Sequence, residues 1–156
     1  MRERVNAYQQ ELIPVRSRLV FYHMVQDNKR VASDFISLDV WKESHQLMLE
    51  VYAFVKPLPP SEKYNRIDQL IRASASVPAN IAEGHGRYYY LENIAFCRKA
   101  RGSLYEVKNH LMACKDLRQA ENVMCNRLIE RCDTIRRILN GYIRYLKKQK
   151  FGNDEV

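Results

Sequence analysis

Two long stretches in the second half of the chain place apolar residues at alternating steps of three and four. Cys97, Ala100, Leu104, Val107, Leu111 and Cys114 keep this rhythm in the first, and Cys125, Leu128, Cys132, Ile135, Leu139, Tyr142 and Leu146 keep it in the second. A period near 3.5 residues returns one seam of an α-helix to the same side turn after turn, so each stretch needs another helix to bury it. Five Gly and five Pro among 156 residues leave few turns. That economy also argues for few, long helices rather than many short strands.

The first half supplies the partners. From about Asp39 to Val55, Trp41, Ser44, Met48, Val51 and Val55 make one helical face, widened by Val40, Leu47 and Phe54. Pro57, Pro59 and Pro60 end that helix, because proline donates no backbone bond and clashes with the preceding turn. Ser61 with Glu62 opens a second helix carrying Ile67, Leu70, Ile71, Ser74, Val77 and Ile81. Pro78 removes a bond to the Ser74 carbonyl, and a kink is expected there. One polar stripe, Arg72, Ser76, Asn80, Glu83 and Arg87, runs unbroken across it and predicts that the helix continues, and Gly84 and Gly86 are expected to stop the helix. The periodic stretches predict a third helix from about Tyr90 to Arg118 and a fourth from about Glu121 to Lys150. Gly102-Ser103 lowers helix propensity in the third by about 1 kcal/mol. A glycine there predicts close backbone approach, with the small residues Ala73 to Ala82 as partner.

The expected fold is all-α: an antiparallel up-down four-helix bundle over residues 38–150. Residues 1–37 form an N-terminal extension or arm and 151–156 a loose polar tail. In the extension Tyr8, Leu12, Val15, Leu19 and Tyr22 recur at helical spacing, Pro14 interrupts them, and Asp27-Asn28-Lys29-Arg30 reads as a turn. Met24 is an alternative start. No apolar run approaches the roughly 20 residues that span a bilayer. The charged Met1–Asn6 segment lacks the apolar stretch of a signal peptide, so a cytoplasmic location with no membrane partner is expected. The four cysteines form no Cys-x-x-Cys pair and lie on apolar faces, which predicts buried, reduced thiols and no metal or cofactor.

The net charge of +8 is unevenly spread: residues 1–97 hold 12 Lys/Arg against 11 Asp/Glu, and residues 98–156 hold 14 against 7. Such an excess favours a polyanionic partner, RNA or DNA. The candidate phosphate-binding residues are Arg98, Lys99, Arg101, Lys108, Lys115 and Arg118 on the third helix. On the fourth they are Arg127, Arg131, Arg136, Arg137, Arg144, Lys147, Lys148 and Lys150. Most lie off the apolar seams, and phosphate contact needs only charge and counterion release. Tyr88, Tyr89, Tyr90, Tyr142 and Tyr145 are candidates for stacking on unpaired bases. No phosphate loop, His-Glu-x-x-His or nucleophile elbow is present, and Glu83 is expected to pair with Arg87, so catalysis is not expected. The apolar surplus on the fourth helix, Met124, Ile138, Ile143 and Tyr145, exceeds what one bundle seam uses and points to another subunit.

Leu38–Lys42, Gln69–Ala73, Ser76–Arg87 and Ala100–Val107 together resemble the bacterial four helix bundle protein family, whose founding members are encoded by intervening sequences in 23S ribosomal RNA genes. The motif residues are Asn80, Ile81, Ala82, Glu83, Gly84 and Arg87, with Gly102 and Ser103 downstream. The likeness spans about residues 35–146; after Cys114 it is one of pattern only. Residues 1–34 precede the usual family start, and Tyr88-Tyr89-Tyr90 is richer in aromatics than the pattern. The resemblance implies bundles that associate as a five-fold ring with basic surfaces. It also implies kinship with the accessory variability protein of diversity-generating retroelements, which works beside a reverse transcriptase. The expectation is a non-enzymatic, homo-oligomeric nucleic-acid-binding accessory protein, with a scaffold that docks a protein such as a reverse transcriptase as the alternative.

Overall fold

The computed structural model describes residues 34–87 and 89–151. The expectations for the arm, for Met24, for Tyr88 and for the tail from Gly152 lie outside these residues. A 3-10 turn, Phe35–Ser37, precedes α1 (Asp39–Phe54); then come α2 (Asp68–His85), α3 (Tyr90–Asp116) and α4 (Asn122–Phe151). Among the described residues there is no strand, and no helix is long and apolar enough to cross a membrane.

Asp39 sits in the first turn of α1, where its charge complements the helix dipole, and Val55 closes the last turn before Pro57. The second helix begins later than Ser61 predicts. A 3-10 turn, Pro60–Glu62, and a π-helical turn, Lys63–Ile67, come before α2. Pro60 presets the backbone for that tight first turn and has no N–H to lose there. α2 runs through Pro78, which is buried, and continues past Gly84 to His85, so Gly84 does not stop it. The end of α3 is a Schellman turn. Gln119 N–H reaches the Cys114 carbonyl, Arg118 N–H reaches that of Lys115, and Arg118 takes a φ of 54° at the position glycine usually occupies.

The heptad residues of α3 are all buried, and those of α4 are too apart from the half-buried Tyr142. In α1 the buried face is Val40, Ser44, Leu47, Val51 and Phe54, while Trp41 and Met48 are only half-covered. The seam is thus turned slightly from the predicted one. Trp41 stacks instead on His45 at 4.8 Å and meets Phe35 edge-on at 5.1 Å. Buried Ser44 donates to the Val40 carbonyl and buried Ser74 to that of Ile71, so neither hydroxyl is orphaned.

Small residues set how closely α2 approaches α3, but not at the glycine expected. A Cβ on Gly102 would meet nothing within 4 Å, whereas one on Gly84 would lie 2.8 Å from Phe96 Cβ and 2.9 Å from Asn93 Oδ1. Gly102 faces open space, and Gly84 is where α3 presses on α2. Ser103 does reach the small-residue stretch: its Oγ lies 2.9 Å from Ser76 Oγ. Between α3 and α4 three bonds recur every seven residues on both helices. Arg101 donates to Asn140 (3.0 Å), Lys108 to Asp133 (2.7 and 2.8 Å) and Lys115 to Asn126 (2.9 Å). Rising numbers on α3 meet falling numbers on α4.

All four cysteines are buried free thiols. Burial pushes Cys97 and Cys132 up to about 12 and Cys114 to about 11, and raises Cys125 as well. In a thiol titration at neutral pH, none of the four is expected to react in the folded protein and all four in denaturant. In urea unfolding, Gly84→Ala is expected to destabilise by about 1–3 kcal/mol through overpacking. Gly102→Ala is expected to stabilise by about 0.5–1 kcal/mol, because nothing opposes the new methyl and helix propensity rises.

Candidate nucleic-acid interface

The bundle divides the fourteen Lys and Arg residues after Cys97 into those that tie helices together and those that face solvent. Arg101, Lys108 and Lys115 belong to the α3–α4 ladder. The Lys108 hydrogen bond, more than any other cause, holds the Asp133 carboxyl below its ordinary range. Arg136 adds a contact to Asp133 at 3.5 Å, and Arg137 donates to Thr134 within α4. Arg131 is half-buried and spans two carboxylates of α1, Glu43 at 3.0 Å and Glu50 at 3.6 Å. These residues are engaged in cross-helix or local bonds. The seven-residue spacing of Glu43 and Glu50 is the one signal of the Arg131 clamp that the sequence carries.

Besides Arg137, the exposed cations are Arg98, Lys99, Arg118, Arg127, Arg144, Lys147, Lys148 and Lys150. They do not form one patch. Arg127 and Lys147 are twenty residues apart on α4, or about 30 Å along its axis. Arg118 belongs to the turn between α3 and α4, and Lys99 lies over the Phe96 ring at 4.2 Å. Arg98 shares a seven-residue stripe of α3 with exposed Leu91, Tyr105 and Met112. The set that comes together is Arg144, Lys147 and Lys148, at helical spacing on the last turns of α4. Between Thr134 and Phe151 that helix carries no Asp or Glu. Its positive charge also complements the negative end of the helix dipole.

Of the tyrosines proposed for stacking, Tyr89 and Tyr145 are exposed. Tyr90 and Tyr142 pack partly against the core, and Tyr142 accepts a bond from Asn93 while its ring stacks on Tyr145 at 6.3 Å. Burial raises the Tyr142 phenol. Tyr142 is therefore a core residue rather than a stacking platform. The polar residues of the motif are engaged with near neighbours: half-buried Asn80 donates to Ser76, exposed Glu83 pairs with exposed Arg87 just past the end of α2, and the Arg87 guanidinium lies 4.8 Å over Phe96. Among the described residues no three His, Cys, Asp or Glu side chains converge as metal ligands.

Four α-helices without strands among the described residues, with a buried heptad seam, define a helical bundle. Residues 37–141 match the family described as 23S rRNA-intervening sequence protein, and the chain belongs to that family. A crystal structure at 1.70 Å resolution is similar in fold: a protein of unknown function from the S23 ribosomal protein family from Bacteroides thetaiotaomicron VPI-5482. It is 17% identical, with a TM-score of 0.61 over 67% of this chain and 98% of its own. A search of curated proteins finds no match.

One titratable group has no signature in the sequence pattern. His110 Nδ1 and Arg66 Nε are buried without partners. Burial first, and then Arg66, lowers the His110 pKa from 6.5, against an opposing pull from Glu106. A lowered folded value means that the unfolded chain takes up the proton first. Stability from His110 is therefore complete above pH 6.5 and falls as pH drops from there through the folded value. Asp133 adds a second loss in the same direction below its ordinary 3.8. In thermal melts, His110→Gln is expected to flatten the decline just below pH 6.5 and leave the more acidic one.

Proposed function

We propose that the chain is a non-enzymatic nucleic-acid-binding accessory protein that contacts phosphate backbones through the end of α4. The observation that carries this is the exposed Arg144, Lys147 and Lys148 group on a stretch with no carboxylate of its own. Such a group attracts phosphate by charge without reading sequence, and exposed Tyr145 beside it offers a ring to an unpaired base. Membership of a family described by the intervening sequences of 23S ribosomal RNA supports RNA as the first ligand to test.

The four helices form an antiparallel up-down bundle, and copies of it associate in a ring, five-fold by family resemblance. The α3 stripe of Leu91, Tyr105 and Met112, each about half exposed and interrupted by Arg98, supports that association, because large apolar side chains recurring on the outside of a bundle suit another helix. Ring closure would repeat the α4 cluster around an axis and raise its field. The same stripe favours a second reading, a scaffold that docks a protein such as a reverse transcriptase. A pull-down that keeps its protein partner after nuclease treatment would support that reading.

The test is binding of single-stranded RNA and of duplex DNA across a salt series. Replacing Arg144, Lys147 and Lys148 together by Glu is expected to abolish binding. Replacing them by Gln is expected to flatten the salt slope by about 2–3, near 0.7–0.9 for each phosphate no longer neutralised. Binding that ignores salt, or that survives the charge reversal, rejects the α4 assignment.

A further inference from the structure

A cavity of about 520 Å³ opens between the C-terminal end of α1 and the first turns of α4. Its walls are Phe54, Pro57, Met124 and Leu128, with Ala53 and Ala120 leaving the space between them. That volume suits a small molecule, and apolar walls with few polar groups are the usual make-up of such sites.

The buried polar atoms in its lining that lack partners are one-sided. Glu50 Oε2 and Gln119 Oε1 both belong to the lining, both are buried, and neither has a hydrogen-bond partner. Each is an acceptor, and a buried acceptor left unpaired costs about 1–3 kcal/mol, so an occupant that donates to both is favoured. The charge around them points the same way. The other Glu50 oxygen faces Arg131, whose guanidinium also serves Glu43, so one cation stands between two carboxylates. Arg131 Nε is also unpartnered, but Arg131 is not part of the lining. Glu121 and Arg127, also in the lining, offset each other formally. The net demand is for hydrogen-bond donors with a positive charge. A primary ammonium has three donors and no acceptor, whereas a carboxylate could only repel Glu50.

We propose that this cavity binds a small organic cation, a protonated amine on a ring or short alkyl body. The ammonium sits against Glu50 and Gln119 and the apolar body against Phe54, Met124 and Leu128. The site is separate from the α4 cluster and stands or falls independently of nucleic-acid binding.

The probe is benzylammonium, titrated into the full chain with methyl-labelled Met and Ala and followed by NMR. Saturable shifts are expected at Met124, Ala53 and Ala120, with benzyl alcohol and benzoate binding at least about tenfold more weakly, as loss of a charged hydrogen bond implies. Glu50→Gln is expected to weaken benzylammonium binding about tenfold or more by the same loss. Because that change also touches Arg131, Ala53→Phe serves as the second variant: it fills the space and is expected to remove the Met124 shift while the melting temperature holds. No saturable shift up to the solubility limit overturns the proposal. So does equal affinity for benzyl alcohol, which would make the cavity a plain apolar cleft. Methyl shifts that track protein concentration without probe also overturn it, and would place a second copy of the chain there.

Discussion

The contact between α3 and α4 has one period in two chemistries, and the rest of the bundle is hung on it. Apolar side chains recur by three and four on the inside, and a basic residue meets an oxygen acceptor every seventh residue on the outside. The magnitudes assign different duties. Burying a large aliphatic side chain is worth about 1.5–3 kcal/mol. A partly exposed ion pair is worth about 0–1 kcal/mol. The seam supplies the stability and the ladder discriminates between registers: a slip of one heptad keeps apolar residues together but leaves a basic residue and an acceptor unmatched at opposite ends. α2 then joins through a different device, close approach at Gly84 and a serine pair, and α1 completes the core with Val40, Leu47, Val51 and Phe54 and is tied to α4 by Arg131.

Much of this frame is readable from residue types. The four helices follow from periodicity and proline placement, and all lie within a few residues of the predicted ends except the start of α2. There, tight and wide turns replace the first predicted turns. The two glycines are instructive. Gly102 and Gly84 carry the same lack of a side chain, but whether that absence is used depends on what stands opposite. Asn93 and Phe96 stand opposite Gly84, and open space faces Gly102. Arg118 shows the converse, a left-handed turn without glycine, held by two hydrogen bonds of the helix end.

The candidate interface was legible as a set of residues and not as a place. Charge is a property of a residue, but availability is a property of a pair. Lys108 and Lys147 look alike in the chain, yet one is held by Asp133 and the other stands on a stretch without carboxylates. The unpaired oxygens of Glu50 and Gln119 had no signature, because they line one cavity only when α1 and the α3–α4 turn pack side by side.

The clamp of Arg131 has a kinetic meaning. Neighbouring helices that are joined by short links close small loops and meet early, because loop-closure entropy grows with the span bridged. The bond from Arg131 to Glu43 joins residues 88 apart in sequence, so the α1–α4 seam closes at a greater entropic cost than either the α2–α3 or the α3–α4 pair. Once the neighbouring pairs have formed, the span left to close is far shorter, so this seam is expected to follow them. The cavity lies along it. An occupant there would act as a latch, stabilising the closed bundle through binding that the unfolded chain does not offer.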